Sequence, residues 1–302
     1  MTAGRNDETV NEDASIAGFD ADFVDVDGIR TRYYDVGSGE PLVLLHGGSW
    51  TGFTSANTWT RNLAGLGENF RVLALDRVGS GMTGNPADVD DYLWETEPAH
   101  VEAFIDELGL DEVHLAGQSR GGGLAGWLAV DNPGTVKSLT VVNSATLAPS
   151  AGDYVTRRDR LHRSAPDDPD SSTYYRDLCR HREETMAYST EHVTEEYVRA
   201  GAYMRSRPKA METADVLGNR EGPYWERESP VKDRWQESLR GHMHETYRRI
   251  DAGTLTVPTL LYWAVNDPTV RFRSGVALYD RIAQRNPDVR LYAVNEAGHH
   301  PY

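Results

Sequence analysis

Leu115-Ala116-Gly117-Gln118-Ser119-Arg120-Gly121-Gly122 is the stretch that decides how this chain is read. It holds Gly-x-Ser-x-Gly, follows the short apolar run from Val113 to Ala116, and opens a helix-like segment ending near Val130. Strand, tight turn and helix, in that order, turn a weak five-residue pattern into a nucleophile elbow. Gly117 and Gly121 lack a Cβ and let neighbouring backbones approach at a sharp bend. The hydroxyl of Ser119 is then presented at the carboxyl end of a strand, beside a helix N-terminus.

A serine nucleophile needs a base and an acid, and both are found further along. Thr259 to Ala264 reads as a buried strand, with Pro258 at its start, and the loop after it carries Asp267 before Pro268. Val289 to Val294 reads as another strand, followed by Asn295-Glu296-Ala297-Gly298-His299-His300. Three loops that each follow a strand therefore carry Ser119, Asp267 and His299, and in a parallel sheet such loops emerge at one edge. Taken singly, Asp267 before a proline is a good turn residue and a loop histidine is an ordinary solvated one. Their order and setting together are what point to a catalytic triad. Of the adjacent histidines, His299 is taken as the base because it directly follows Gly298.

Pro41 to Leu45 reads as a strand running into His46-Gly47-Gly48-Ser49. That loop is the place for one oxyanion amide, from Gly48 or Ser49, the second being the amide of Arg120 after the nucleophile. His46 is read as shaping the loop rather than as a catalytic group. With Asp76-Arg77-Val78-Gly79-Ser80-Gly81, a turn of the form Asp-x-x-Gly-x-Gly after the strand Arg71 to Leu75, these residues resemble the α/β-hydrolase superfamily from about Phe23 to Tyr302. The resemblance implies an α/β fold: a mostly parallel central sheet flanked by helices, with an inserted helical lid. The expected division is a flexible acidic leader over 1–21, a core over 22–145 and 251–302, and a lid over 146–250.

Composition agrees with one large domain plus an insertion in 302 residues. The net charge of −16 argues against nucleic-acid binding, which needs a basic face. The balance is uneven: residues 146–250 carry 18 basic and 19 acidic residues, leaving 13 and 28 elsewhere. No apolar run is long enough to span a membrane, and the polar residues 1–21 do not read as a secretory signal. Cys179 is the single cysteine, so an intrachain disulfide is ruled out and a reducing, cytoplasmic compartment is expected. No metal-ligand spacing or nucleotide-binding loop appears, so no metal and no cofactor are expected. A small-molecule substrate is the expected partner, and a homodimer is compatible with the sequence. Superfamily members usually continue into a final helix, so further native residues are expected after Tyr302.

Between the strand Ser138 to Asn143 and Val257, helical signals cover Tyr154 to Arg163, Ser172 to Tyr188, Thr194 to Ser206, Lys209 to Leu217 and Val231 to Ile250, punctuated by prolines. Thr194 with Glu195 and Glu196 has the form of an N-cap followed by first-turn acids. A helical insertion at this point is read as a lid that excludes water and shapes a pocket.

The loop from His46 to Trp59 is similar to that of the meta-cleavage-product hydrolases, which cleave a carbon–carbon bond in 2-hydroxy-6-oxo-dienoates. That resemblance implies Asn57 as an active-site asparagine and Arg205 or Arg207 as a lid arginine holding the substrate carboxylate. The chain departs from the pattern in having Ser49-Trp50-Thr51 where the family has Gly-Pro-Gly, and His300 where it often has tryptophan. Hydrolysis of a small ester or lactone on the same triad is the alternative; a peptidase-like enzyme or a non-catalytic ligand-binding member are weaker readings. Serine at the elbow argues against dehalogenation and epoxide opening, which use aspartate there.

Overall fold

A computed structural model describes residues 10–48, 53–150, 165–218 and 229–302. Ser49, Trp50 and the expected helix from Tyr154 to Arg163 lie outside the described residues.

Eight strands among the described residues form one sheet: β1 (Asp22–Val26), β2 (Ile29–Val36), β3 (Glu40–Leu45), β4 (Phe70–Leu75), β5 (Val113–Gln118), β6 (Val136–Val142), β7 (Thr259–Ala264) and β8 (Val289–Val294). The order across the sheet is β1-β2-β4-β3-β5-β6-β7-β8. β1 and β2 pair antiparallel and β2 joins β4 antiparallel; every pairing from β4 to β8 is parallel. The chain reverses its direction of travel across the sheet at β3, which lies between β4 and β5. This is the topological switch point where ligands bind outside the strand ends of open α/β sheets.

Side-chain alternation sorts the strands into two layers. Leu45, Leu73, Leu115, Val141, Leu261 and Trp263 face a large core that includes Phe104, Leu124, Leu128, Leu278 and Ile282. Those partners belong to α2 (Thr96–Glu107), α3 (Arg120–Asp131) and a late helix, Phe272–Ala283. The alternate residues Leu42, Leu44, Val72, Ala74 and Ala116 face a smaller cluster with Trp59 and with Leu63 of α1 (Thr60–Gly67).

Four helices described between β6 and β7 make the insertion: α4 (Tyr174–Met186), α5 (Glu195–Arg205), α6 (Pro208–Val216) and α7 (Pro230–Asp251). The late helix after β7 is thus α8. The starts of α5 and α7 follow their sequence signals. Thr194 accepts the Tyr197 amide, with Glu195 and Glu196 in the first turn, and Ser229 accepts the Lys232 amide ahead of Pro230.

The segment expected to be a loose leader is, over residues 10–21, packed onto the core. Ala14, Ser15 and Ile16 are buried. The Ile16 amide donates to Tyr34 Oη at 3.2 Å, and Phe19 packs edge-on against the Tyr34 ring. Apolar side chains that reach a waiting aromatic offset the entropy of ordering a short polar segment.

Candidate active site

The turn after β5 bends as the sequence pattern requires. Ser119 has φ of 53° and ψ of −117°, a strained conformation for a residue with a side chain, and α3 begins directly after it. Glycine at 121 is obligatory here: a Cβ would lie 2.6 Å from the His46 carbonyl oxygen. The Ser119 amide donates to Val142 O at 2.8 Å, which extends the β5–β6 pairing up to Ser119. Ser119 is partly exposed, between the buried Gln118 and the first turn of α3.

Asp267 and His299 meet across the loops that follow β7 and β8. His299 Nδ1 lies 2.8 Å from Asp267 Oδ2 and 2.7 Å from Thr269 Oγ1. Asp267 Oδ1 accepts the amides of Thr269 at 2.6 Å and Val270 at 3.0 Å, and the Thr269 hydroxyl at 2.8 Å. Burial alone would raise the pKa of this carboxyl. The His299 charge, with hydrogen bonds from His299 and Thr269, outweighs burial and holds it below the ordinary carboxylate value. Asp267 is therefore an anion whose lone pairs are committed, which suits it to orient an imidazole.

The histidine loop is tied to the Ser119 turn and the end of β6 by two amide side chains. Gln118 Nε2 donates to His299 O at 3.1 Å, and Asn143 Nδ2 donates to the same oxygen at 3.1 Å and to Gly298 O at 3.2 Å. Asn143 Oδ1 in turn accepts the Ala264 amide at 2.9 Å, so Asn143 links the ends of β6, β7 and the histidine loop. Thr269, Gln118 and Asn143 were not singled out from sequence; the available signal was their position two residues after Asp267, beside the elbow and immediately beyond β6, respectively. The insertion also reaches this loop: the His299 amide donates to Met186 O at 2.8 Å, and a Cβ on Gly298 would sit 2.7 Å from the Tyr188 amide.

His300 looks elsewhere. Its Nε2 lies 3.4 Å from Glu183 Oε2 on α4 and its Nδ1 lies 3.2 Å from Tyr302 Oη. Burial, followed by the charges of His299 and Arg182, pushes its pKa well below the usual imidazole value.

After β3, His46 Nδ1 donates to Gly47 O at 2.7 Å, and the Arg77 amide donates to His46 Nε2 at 3.1 Å. This matches the loop-shaping role read from sequence. Gly48 takes φ of 80° in this loop. The Arg120 guanidinium stacks over the Trp235 ring, 4.4 Å from the centroid.

The side chains of the three residues expected to touch substrate are engaged with other protein groups, although Asn57 lines a cavity with Glu183, His300 and Tyr302. Asn57 is buried, its Oδ1 accepting from Tyr34 Oη at 2.7 Å and Arg32 Nη2 at 3.0 Å while its Nδ2 donates to Ala14 O at 2.8 Å. Arg205 is buried, with Nη1 3.2 Å from Met211 Sδ and its guanidinium over the Tyr175 ring. Arg207 precedes α6 and lies over the Tyr203 ring on the exposed side. Among the described residues, an arginine of the insertion that approaches the loops is Arg182 on α4, whose Nη2 would lie 3.4 Å from a Cβ placed on Gly48. Its neighbour Glu183 pairs with it at 3.4 Å. Among the described residues no grouping of three or more histidine, cysteine or acidic side chains could hold a metal ion, and no helix is long and apolar enough to cross a membrane.

The elbow, the acid–histidine pair and the switch-point sheet define the class. The alpha/beta hydrolase fold family model matches residues 40–302, and the chain belongs to that family. It is 38% identical over 117 residues to a 2-hydroxy-6-oxo-2,4-heptadienoate hydrolase of Pseudomonas putida, a stretch covering 39% of this chain and 42% of that one. It is 34% identical over 128 residues to a soluble epoxide hydrolase of a Corynebacterium species, covering 42% and 43%. The matched stretch thus spans about two-fifths of each relative's length. Among solved structures, a meta-cleavage product hydrolase from Pseudomonas fluorescens superposes with a TM-score of 0.69 at 22% identity, over 92% of this chain and 90% of that one. That likeness speaks for the fold.

Proposed function

We propose that this protein is a serine hydrolase with Ser119 as nucleophile, His299 as general base and Asp267 as the group that orients and stabilises the imidazolium. The observation that carries this reading is the His299–Asp267 hydrogen bond, on a loop tethered by Gln118 and Asn143 to the strained serine turn. His299 takes the hydroxyl proton as Ser119 attacks a carbonyl, and the oxyanion is met by the Arg120 amide and one from Gly48 or Ser49. Water then releases the acyl group, and no cofactor is needed. His299→Ala abolishes turnover while His300→Ala leaves most of it; the reverse result would reassign the base.

The first substrate to try is a 2-hydroxy-6-oxo-dienoate-like keto acid, cleaved at a carbon–carbon bond. Relatives named for such hydrolases support it, as does the loop from His46 to Trp59. The dienol must first become a ketone, so that the departing carbanion is stabilised, and in this reading His299 shuttles that proton. A gem-diol formed by water is the alternative intermediate on the same groups. With Asn57 and Arg205 engaged elsewhere, Arg182 is the arginine we assign to the carboxylate end, where a guanidinium fork matches the anion. The engagement of Asn57 and Arg205 is also what favours the second reading, a carboxylesterase or lactonase acting on a small ester.

Loss of the visible absorbance of a 2-hydroxy-6-oxo-dienoate, run beside a short-chain p-nitrophenyl ester with Ser119→Ala as control, separates the two. Fast dienoate loss that needs Ser119 supports carbon–carbon hydrolysis, and ester turnover with an inert dienoate selects the esterase. In the first case Arg182→Gln lowers dienoate kcat/KM by about 100-fold, from a charge-assisted pair of roughly 2–3 kcal/mol, and leaves the neutral ester nearly unchanged. Equal loss on both substrates would remove Arg182 from that role.

A further inference from the structure

Arg77 belongs to the Asp76 to Gly81 turn and takes no part in the chemistry above, yet it is buried and its guanidinium is spent on one loop. Its Nη2 donates to Gly47 O at 3.0 Å and to Gly48 O at 2.9 Å. Its backbone amide donates to His46 Nε2, whose ring donates from Nδ1 to the same Gly47 oxygen. Those two bonds fix one tautomer, with the proton on Nδ1. The other terminal nitrogen, Nη1, pairs with Glu97 Oε2 of α2, and both side chains are shielded from solvent.

We infer that Arg77 and Glu97 are positioning residues for the oxyanion loop, acting through the carbonyls of Gly47 and Gly48. This rests on the serine-hydrolase reading above. A peptide unit is planar and trans, so a carbonyl and the amide N–H that follows it point in opposite directions. Drawing Gly47 C=O towards Arg77 therefore turns Gly48 N–H away from it. The loop lies against the nucleophile, since a Cβ on Gly47 would be 2.8 Å from Ser119 Cβ. An amide serves a developing oxyanion best when it is aimed before the reaction and need not reorient during it. Glu97 holds the guanidinium plane from the far side. Burial, then the Arg77 charge, pushes the His46 pKa well below its usual value, so the imidazole stays neutral and keeps the tautomer that the loop needs. A buried ion pair is a poor way to gain stability, because apolar residues of like volume serve as well or better. Spending one on two loop carbonyls is what a positioning role requires.

The test compares Arg77→Met/Glu97→Gln, which removes both charges and leaves no lone buried ion, with Arg77→Lys. Folding is checked by thermal melting. Activity is read as kcat and KM for Ser119-dependent p-nitrophenyl ester hydrolysis, and tetrahedral-anion binding as the inhibition constant of phenylboronic acid. The double variant is expected to fold, to lose about 10- to 100-fold in kcat with KM little changed, and to bind the boronate more weakly by a similar factor. Arg77→Lys, able to reach one carbonyl, falls between. A folded double variant with wild-type kcat and boronate affinity overturns the inference, as does a kcat loss that only tracks the folded fraction. Should the double variant not fold, Arg77→Lys decides: unchanged boronate affinity and kcat overturn the inference. A wild-type protein with no Ser119-dependent turnover overturns instead the serine-hydrolase reading, and this inference with it.

Discussion

Beneath the strand ends, charge is buried in ion pairs; at the Glu195 cluster of the helical insertion, it stands largely in water. Arg32 and Asp76 pair at 3.2 Å with both side chains completely shielded, and Asp76 also accepts the amides of Ala56 at 2.7 Å and Met82 at 2.8 Å. In α4 and α5, by contrast, Glu195 gathers Arg176, Arg180 and Arg199 with its own side chain 52% exposed. The two regions have similar pairs on paper and different physics. In the core each partner has surrendered its hydration and depends on the other, while at the Glu195 cluster water replaces whatever is lost.

The largest effect expected from that contrast is at Asp76. Asp76→Ala leaves the Arg32 guanidinium buried without its counter-ion and two backbone amides without their acceptor, so unfolding stability should fall by about 3–5 kcal/mol. Urea unfolding of the variant measures it. A loss below about 1 kcal/mol, the range of a surface pair, would erase the distinction between the two regions.

What was legible in the sequence follows the same division. The strands around Ser119, Asp267 and His299 announce themselves through short apolar runs and glycine punctuation, which are local properties, and the three loops could be placed on one sheet edge from strand order alone. Asn57 could not be read this way. Its three partners, Arg32, Tyr34 and Ala14, are distant in sequence, and nothing near Asn57 signals that they converge on it. The packing of residues 10–21 was hidden for the same reason, because Tyr34 supplies the surface that Ile16 and Phe19 cover. The insertion offered many arginines and as many acids, all at helical spacing. Which of them faces the strand ends depends on where α4 docks against Gly298, and that is a tertiary fact. Hence Arg205 and Arg207 were favoured only by their place before a proline.

A smaller effect sharpens the contrast with a single titrating group. His100 of α2 is buried with Nε2 2.9 Å from Thr31 Oγ1, and burial, opposed by Asp27, lowers its pKa to about 4. The unfolded chain binds a proton at His100 below its ordinary value near 6.5, while the folded protein does so only near 4. Between those values the unfolded state holds more protons, so the folded state loses stability as pH falls. From pH 7 to pH 5 the loss attributable to His100 is roughly 2 kcal/mol. Unfolding free energies at both pH values, for wild type and His100→Asn, should diverge by about that amount. Parallel pH profiles would mean that the imidazole is hydrated in the folded state.

The smallest effect belongs to Glu195, although it has more ionic partners than Asp76. Glu195→Ala removes contacts to Arg176 at 3.2 Å, to Arg180, and to Arg199 at 3.8 Å, together with an acid in the first turn of α5. Each arginine returns to water, where a surface pair contributes a few tenths of a kcal/mol, and the favourable placement of an acid at a helix N-terminus adds a similar amount. The summed loss should stay near or below about 1 kcal/mol and shrink as salt is raised, because charges in water are screened over about 10 Å at 0.1 M. The Asp76→Ala loss should barely respond to the same salt, since no counter-ion can reach a pair sealed under the sheet edge. If both variants lost stability equally and with the same salt dependence, burial would not be what separates the two regions. The Glu195 cluster would then be a cooperative network, and the number of partners would outweigh their exposure.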